Sequence, residues 1–105
     1  MDEHLVVLVT ATSETQARRI AKKLLQNRLA ACVNFVPTES MFLWRGEIQE
    51  EDEILMVIKT RSEVFDDLMS AIKSAHTYDT PEIIGVPVVI GSREYLKWID
   101  DEVIE

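Results

Sequence analysis

Five consecutive apolar residues, Leu5 to Val9 (LVVLV), open the pattern, and so short a β-branched run predicts a central strand covered on both faces. The period then changes. Ala17, Ile20, Ala21, Leu24 and Leu25 recur at helical spacing behind Ser13-Glu14-Thr15-Gln16, where the serine can cap the helix and the glutamine can reach back to the backbone. Ala31 to Val36 reads as a second strand and Pro37 interrupts it. Ser40 to Trp44 carries it on to Arg45-Gly46, a two-residue turn whose glycine can take a positive φ. Ile48 to Thr60 returns as the partner arm, giving a long hairpin bent near Pro37 and Thr38. Ser62 begins a second helix with Glu63, Asp66 and Asp67 early, where carboxylates suit the positive helix end; Phe65, Leu68, Met69 and Ile72 form its apolar stripe. A loop with His76, Tyr78 and Pro81 follows, then a strand over Ile83 to Ile90 that Gly85 and Pro87 make irregular. Gly91 and Ser92 open a last helix bearing Tyr95, Leu96, Trp98 and Ile99.

The order β-α-β-β-α-β, plus a terminal helix, contains a repeat. Laid so that Ser13 meets Ser62, the first strand and helix bring Leu5 onto Ile54, Val9 onto Ile58 and Ile20 onto Met69. Two related halves predict an α+β fold, the ferredoxin-like split β-α-β sandwich, as a single domain over residues 1–105. Its antiparallel sheet carries two helices on one face and leaves the other uncovered. In the hairpin, Phe42 and Trp44 point one way and Met41 and Leu43 the other, so both sides of this arm are apolar. One small chain has no second layer to cover them, and the pattern predicts an obligate homo-oligomer packed through these arms.

Charge narrows the partners. With a net charge of -8 and eleven Lys and Arg residues, the chain lacks the concentrated basic face that nucleic acid requires. Its one basic group, Arg18, Arg19, Lys22 and Lys23, falls on the polar side of the first helix, where charges normally sit in water. Met1 to Leu8 is too short and acidic for a signal peptide, and no apolar run approaches the roughly 20 residues of a membrane helix. A cytoplasmic location without a membrane partner is the expectation. A single cysteine forms no internal disulfide, in keeping with a reducing compartment.

Five words in order, LAACVNFVP, SMFLWRGEI, IKT, HTYDTPEII and YLKWI, resemble the CutA family, the divalent-cation-tolerance proteins. The resemblance covers roughly Val7 to Ile99. It implies a ferredoxin-like homotrimer built like the PII signalling proteins, with clefts between subunits. It also implies weak binding of Cu²⁺ or other divalent cations in metal tolerance, with no organic cofactor and no catalytic reaction. Where the family typically has His-Pro-Tyr, Thr77 replaces the proline. Ala75 stands where some members have a second histidine, and Val9 where they have a strand cysteine.

Copper and zinc draw thiolate and imidazole from several converging residues, and this chain owns only Cys32, His4 and His76. Cys32 and His76 are the candidate metal ligands, each with a structural alternative. Cys32 falls in a predicted interior strand, where free cysteine commonly acts as a small apolar filler; no activating histidine, lysine or helix start lies near it in sequence. His76 lies just past a helix end and can cap it, while His4 reads as solvated. The run Glu47, Glu50, Glu51, Asp52, Glu53 lacks the glycine and alternation of an EF-hand loop and reads as a solvated acidic hairpin that can still concentrate cations. Lys59, Thr60, Tyr78, Glu82, Tyr95 and Trp98, with Trp44 on the arm, mix charge, hydroxyl and aromatic surface. They form either the subunit interface, ranked first, or a cleft for a small anion or metabolite, as in a PII-like signalling module without a physiological metal. No Walker loop, GxGxxG or serine elbow points to an enzyme.

Overall fold

The computed structural model describes residues 4–104. Strand β1 (His4–Ala11) leads into helix α1 (Glu14–Gln26), then into the hairpin of β2 (Cys32–Trp44) and β3 (Glu47–Arg61). A 3-10 turn (Ser62–Val64) precedes α2 (Phe65–Ala75), and β4 (Ile83–Pro87) and α3 (Arg93–Glu102) complete the chain. The sheet order is β2-β3-β1-β4 with every pair antiparallel. The two strands predicted to be equivalent by the internal repeat are thus the two central ones, as the ferredoxin-like arrangement requires.

Alternation divides the sheet into two faces. Leu5, Val7, Val9 and Ala11 of β1 and Met56, Ile58 and Thr60 of β3 are buried in one core with Ile20 and Leu24 of α1 and Leu68 and Ile72 of α2. Val6, Leu8 and Thr10 lie on the opposite face and stay half-buried. The expectation that β1 is covered on both faces therefore fails within one chain, because the helices all but bury one face and leave the other open. Ser13 caps α1 as expected, its Oγ accepting the Gln16 N–H at 3.1 Å; the Gln16 side chain reaches back to the N–H of Thr12 rather than Ser13.

Three boundaries differ from the sequence pattern. Strand β2 runs unbroken through Pro37, which pairs with Ile54; β2 is an edge strand, where a residue without an N–H can be accommodated. The same topology places Cys32 at the start of an edge strand, half-buried, not in the interior. Ser62 opens the 3-10 turn, and the α-helix proper begins at Phe65. Strand β4 ends at Pro87 rather than Ile90, since proline cannot donate to the ladder; among the described residues the Val88 N–H continues the pairing, to the His4 carbonyl at 2.9 Å.

At the hairpin tip both Arg45 (φ 53°) and Gly46 (φ 82°) adopt the left-handed conformation, the combination a two-residue I′ turn demands. Met41, Leu43 and Ile48 near that tip are exposed, in keeping with an arm that lacks its covering layer. Helix α3 is tied back to the sheet: His4 Nε2 lies 2.8 Å and Arg61 Nε 3.4 Å from Asp100 Oδ1. His4 is therefore held by a carboxylate, contrary to its expected solvation. Among the described residues, no helix is long and apolar enough to cross a membrane.

Candidate functional site

The segment 76–82 follows α2 and is fastened to the end of β1 by short side-chain links. His76 donates from Nε2 to the Thr10 carbonyl at 2.8 Å, and its Nδ1 accepts the Tyr78 backbone N–H at 3.0 Å. A carbonyl can only accept and an N–H can only donate, so the ring is neutral with its proton on Nε2. Both nitrogens are thereby engaged. Gln16, only 3% exposed, ties three elements together: its Oε1 accepts the Thr12 N–H at 2.8 Å and its Nε2 donates to Thr77 Oγ1 at 3.0 Å. The Tyr78 ring lies beside His76, centroids 4.9 Å apart, and its hydroxyl donates to Glu53 Oε2 at 3.0 Å.

Between this segment and the hairpin arm lies a cleft of about 840 Å³. Among the described residues five carboxylates line it, Glu39, Glu51 and Glu53 from the arm and Asp79 and Glu82 from the segment; Phe42, Trp44 and Tyr78 supply aromatic surface, and no Lys, Arg or His contributes. Glu53 is 6% exposed, yet the Tyr78 hydroxyl is its only polar side-chain partner and no basic group pairs with it among the described residues. The consequences show in its neighbours. Burial foremost, then the bond to Glu53 and the charges of Glu53 and Glu51, push the Tyr78 phenol up to about 12. Burial and then Glu53 likewise raise the Glu82 carboxyl above the usual carboxylate range. An enclosed negative charge without a counter-charge is costly, and a cation entering here relieves it.

The residues singled out in the sequence separate into two groups. Trp44, Tyr78 and Glu82 line the cleft. At the other end of the sheet, Lys59 is the cross-strand partner of Cys32; its Nζ lies 4.0 Å from Cys32 Sγ and is hydrogen-bonded to Asn34 Oδ1. Tyr95 meets the same cysteine, burial foremost and then that contact raising its phenol, and lies against Trp98 with centroids 5.4 Å apart and ring planes tilted by 41°. Thr60 belongs to neither group. It is fully buried and its hydroxyl donates to the Leu29 carbonyl at 2.7 Å, a core role within the single chain. Thr60→Val keeps the shape and strands that carbonyl, so chemical denaturation is expected to show a loss of about 1–3 kcal/mol.

Cys32 and His76 do not come together within one chain. Cys32 sits opposite Lys59, while His76 bonds Thr10, which sits opposite Leu55, so the two rows are about 13 Å apart along β3. Among the described residues no three His, Cys, Asp or Glu side chains converge as a metal ligand set. A tetrahedral thiolate–imidazole centre does not fit this arrangement.

Residues 5–102 match the family model described as CutA1 divalent ion tolerance protein. The divalent-cation tolerance protein CutA of Archaeoglobus fulgidus is 45% identical over 100 residues, 95% of this chain and 98% of its own. That of Thermus thermophilus is 47% identical over 95 residues, 90% of this chain and 92% of its own. Among solved structures, the A. fulgidus protein, described there as periplasmic, superposes with a TM-score of 0.94 at 44% identity, covering 96% of this chain and 99% of the other. CutA1 of Oryza sativa gives 0.95 at 38% identity, covering 98% and 95%.

Proposed function

The chain belongs to the CutA1 divalent ion tolerance family, and we propose that it serves metal tolerance by holding divalent cations, copper foremost, at the acidic cleft of a cytoplasmic homotrimer. Glu53 carries this reading: a carboxylate 6% exposed, hydrogen-bonded among the described residues to a neutral hydroxyl alone and surrounded by further carboxylates, is a place where positive charge is stabilised. Copper leads because, on any one set of oxygen or nitrogen donors, Cu²⁺ binds more tightly than the other first-row divalent ions. Binding is weak, since the carboxylates do not converge and the ion keeps much of its water. The half-buried thiol of Cys32 suits a reducing compartment, and the apolar arm together with the open sheet face suits assembly. The protein acts by binding, with no reaction assigned. A small anion, the ligand of the PII-like alternative, meets five carboxylates here and is disfavoured.

Native mass spectrometry of the metal-free protein titrated with Cu²⁺ and Zn²⁺ tests this. The expected species has three times the mass of the 105-residue chain and takes up metal, with uptake lost in Glu53→Gln and kept in Cys32→Ser. The reverse pattern would return the site to Cys32.

The raised Glu82 carboxyl sets a pH dependence. A proton competes with the cation, so Cu²⁺ affinity is expected to rise from the ordinary glutamate value of 4.5 towards neutrality. In the metal-free protein the sign is opposite. A folded-state value raised above the unfolded one contributes stability that is present below 4.5 and lost as pH climbs through the raised value. Thermal melts across that window, with and without Cu²⁺, are expected to diverge as pH rises.

A further inference from the structure

The two walls of the acidic cleft repel one another. Glu51 and Glu53 stand on the hairpin arm, Asp79 and Glu82 on the facing segment, and like charges across a partly enclosed gap push apart. Among the described residues the side chains of Asp79, Thr80 and Glu82 make no hydrogen bond or ion pair that would resist this. The wall they form is held just before it begins. His76 ties the segment to β1 through the Thr10 carbonyl, and the next residue ties it to the helix layer: Gln16 Nε2 donates to Thr77 Oγ1 at 3.0 Å. Gln16 is itself fixed before it reaches out. It is 3% exposed, its Oε1 accepts the Thr12 N–H at 2.8 Å, and its backbone N–H donates to the Ser13 cap at 3.1 Å. A side chain locked in this way passes the position of α1 on to the segment, and as a neutral amide it does so without cancelling any of the charge in the cleft.

We propose that Gln16, acting through Thr77, is a positioning residue for the acidic cleft: it holds the wall of Tyr78, Asp79 and Glu82 against the repulsion of the arm, so that the cleft stands formed before a cation enters. Walls already in place spare the cation the cost of ordering them, and the fastening therefore shows in affinity. The link to affinity rests on the cleft being the cation site, as read above; the fastening itself does not.

Two readouts on the full-length protein separate these. Hydrogen exchange of the Tyr78 amide, followed by NMR without metal, reports the wall, because that N–H is bonded to His76 Nδ1 within the segment. Titration of the same samples with Cu²⁺ reports the site. Thr77→Val removes the acceptor at an exposed position with little change of shape, and Gln16→Met removes the amide. Each is expected to speed Tyr78 exchange tenfold or more and to weaken Cu²⁺ binding several-fold; Thr77→Val decides alone if Gln16→Met fails to fold. A role in stability alone would speed the amide of Ile58, in the core strand, at least as much as that of Tyr78. Thr77→Ser keeps the hydroxyl and is expected to restore both readouts. Thr77→Pro is expected to recover much of both by stiffening the backbone instead: His76, at φ -95° and ψ 149°, already has the extended conformation that a residue before proline takes. The proposal is overturned if Thr77→Val leaves either readout at the wild-type level. If the wild-type protein takes up no Cu²⁺, the cation reading falls, and faster Tyr78 exchange in Thr77→Val then supports the fastening while unchanged exchange overturns it.

Discussion

If the proposed homotrimer packs through the hairpin arm, replacing Leu43 and Ile48 together by glutamate is expected to separate it into single chains. The two residues face one another across the hairpin and are 72% and 70% exposed, so the single chain gives them almost no cover. Burying a side chain of this size in an interface contributes about 1.5–3 kcal/mol, and each copy contributes two. Glutamate reverses that gain and adds the cost of taking an unpaired charge out of water. Glu47, Glu50 and Glu51 already make this arm acidic, and Arg45 at the tip is the one cation of the arm, so like charges outnumber it around the new glutamates. Analytical ultracentrifugation is expected to report the mass of one chain, with the melting temperature lowered by roughly 10 °C or more as the assembly's contribution is lost. Far-UV circular dichroism should hardly change, because neither side chain lies in the core. Sedimentation at the three-chain mass would place the interface elsewhere.

The architecture was legible because periods and turn chemistry agree along most of the chain. The hairpin register is a clear case. Counting outward from Arg45-Gly46 pairs Trp44 with Glu47 and, without a bulge, Cys32 with Lys59. The lysine beside the thiol was therefore open to simple counting, although it is invisible to a search for neighbours in sequence. The cleft was harder to see. Glu53 belongs to a run that looks uniformly solvated, and its burial depends on Tyr78 closing over it from a loop 25 residues away. Thr60 illustrates the opposite error: as part of the word IKT it looked functional, yet strand alternation puts it on the helix-covered face with Met56 and Ile58. Lys59, Tyr95 and Trp98 gather at one end of the sheet and Trp44, Tyr78 and Glu82 at the other, a division that only the three-dimensional path of the chain creates.

His76 allows a metal ligand to be told apart from a positioning residue by two substitutions. Alanine removes the donor to the Thr10 carbonyl and the acceptor of the Tyr78 N–H, two hydrogen bonds of about 1 kcal/mol each, and leaves the carbonyl without its partner. For a domain of this size the expected loss is roughly 10 °C in melting temperature. The segment that carries Tyr78, Asp79 and Glu82 is released with it, so cation affinity at the cleft falls as well. Glutamine retains an amide donor of similar reach for the Thr10 carbonyl and gives up only the bond to the Tyr78 N–H. If His76 positions the cleft wall, His76→Gln recovers about half of the lost stability and most of the Cu²⁺ uptake, while His76→Ala recovers neither. If the imidazole itself ligates copper, both substitutions abolish uptake equally whatever their melting temperatures. The neutral ring, with both nitrogens already bonded, makes the first outcome the expected one.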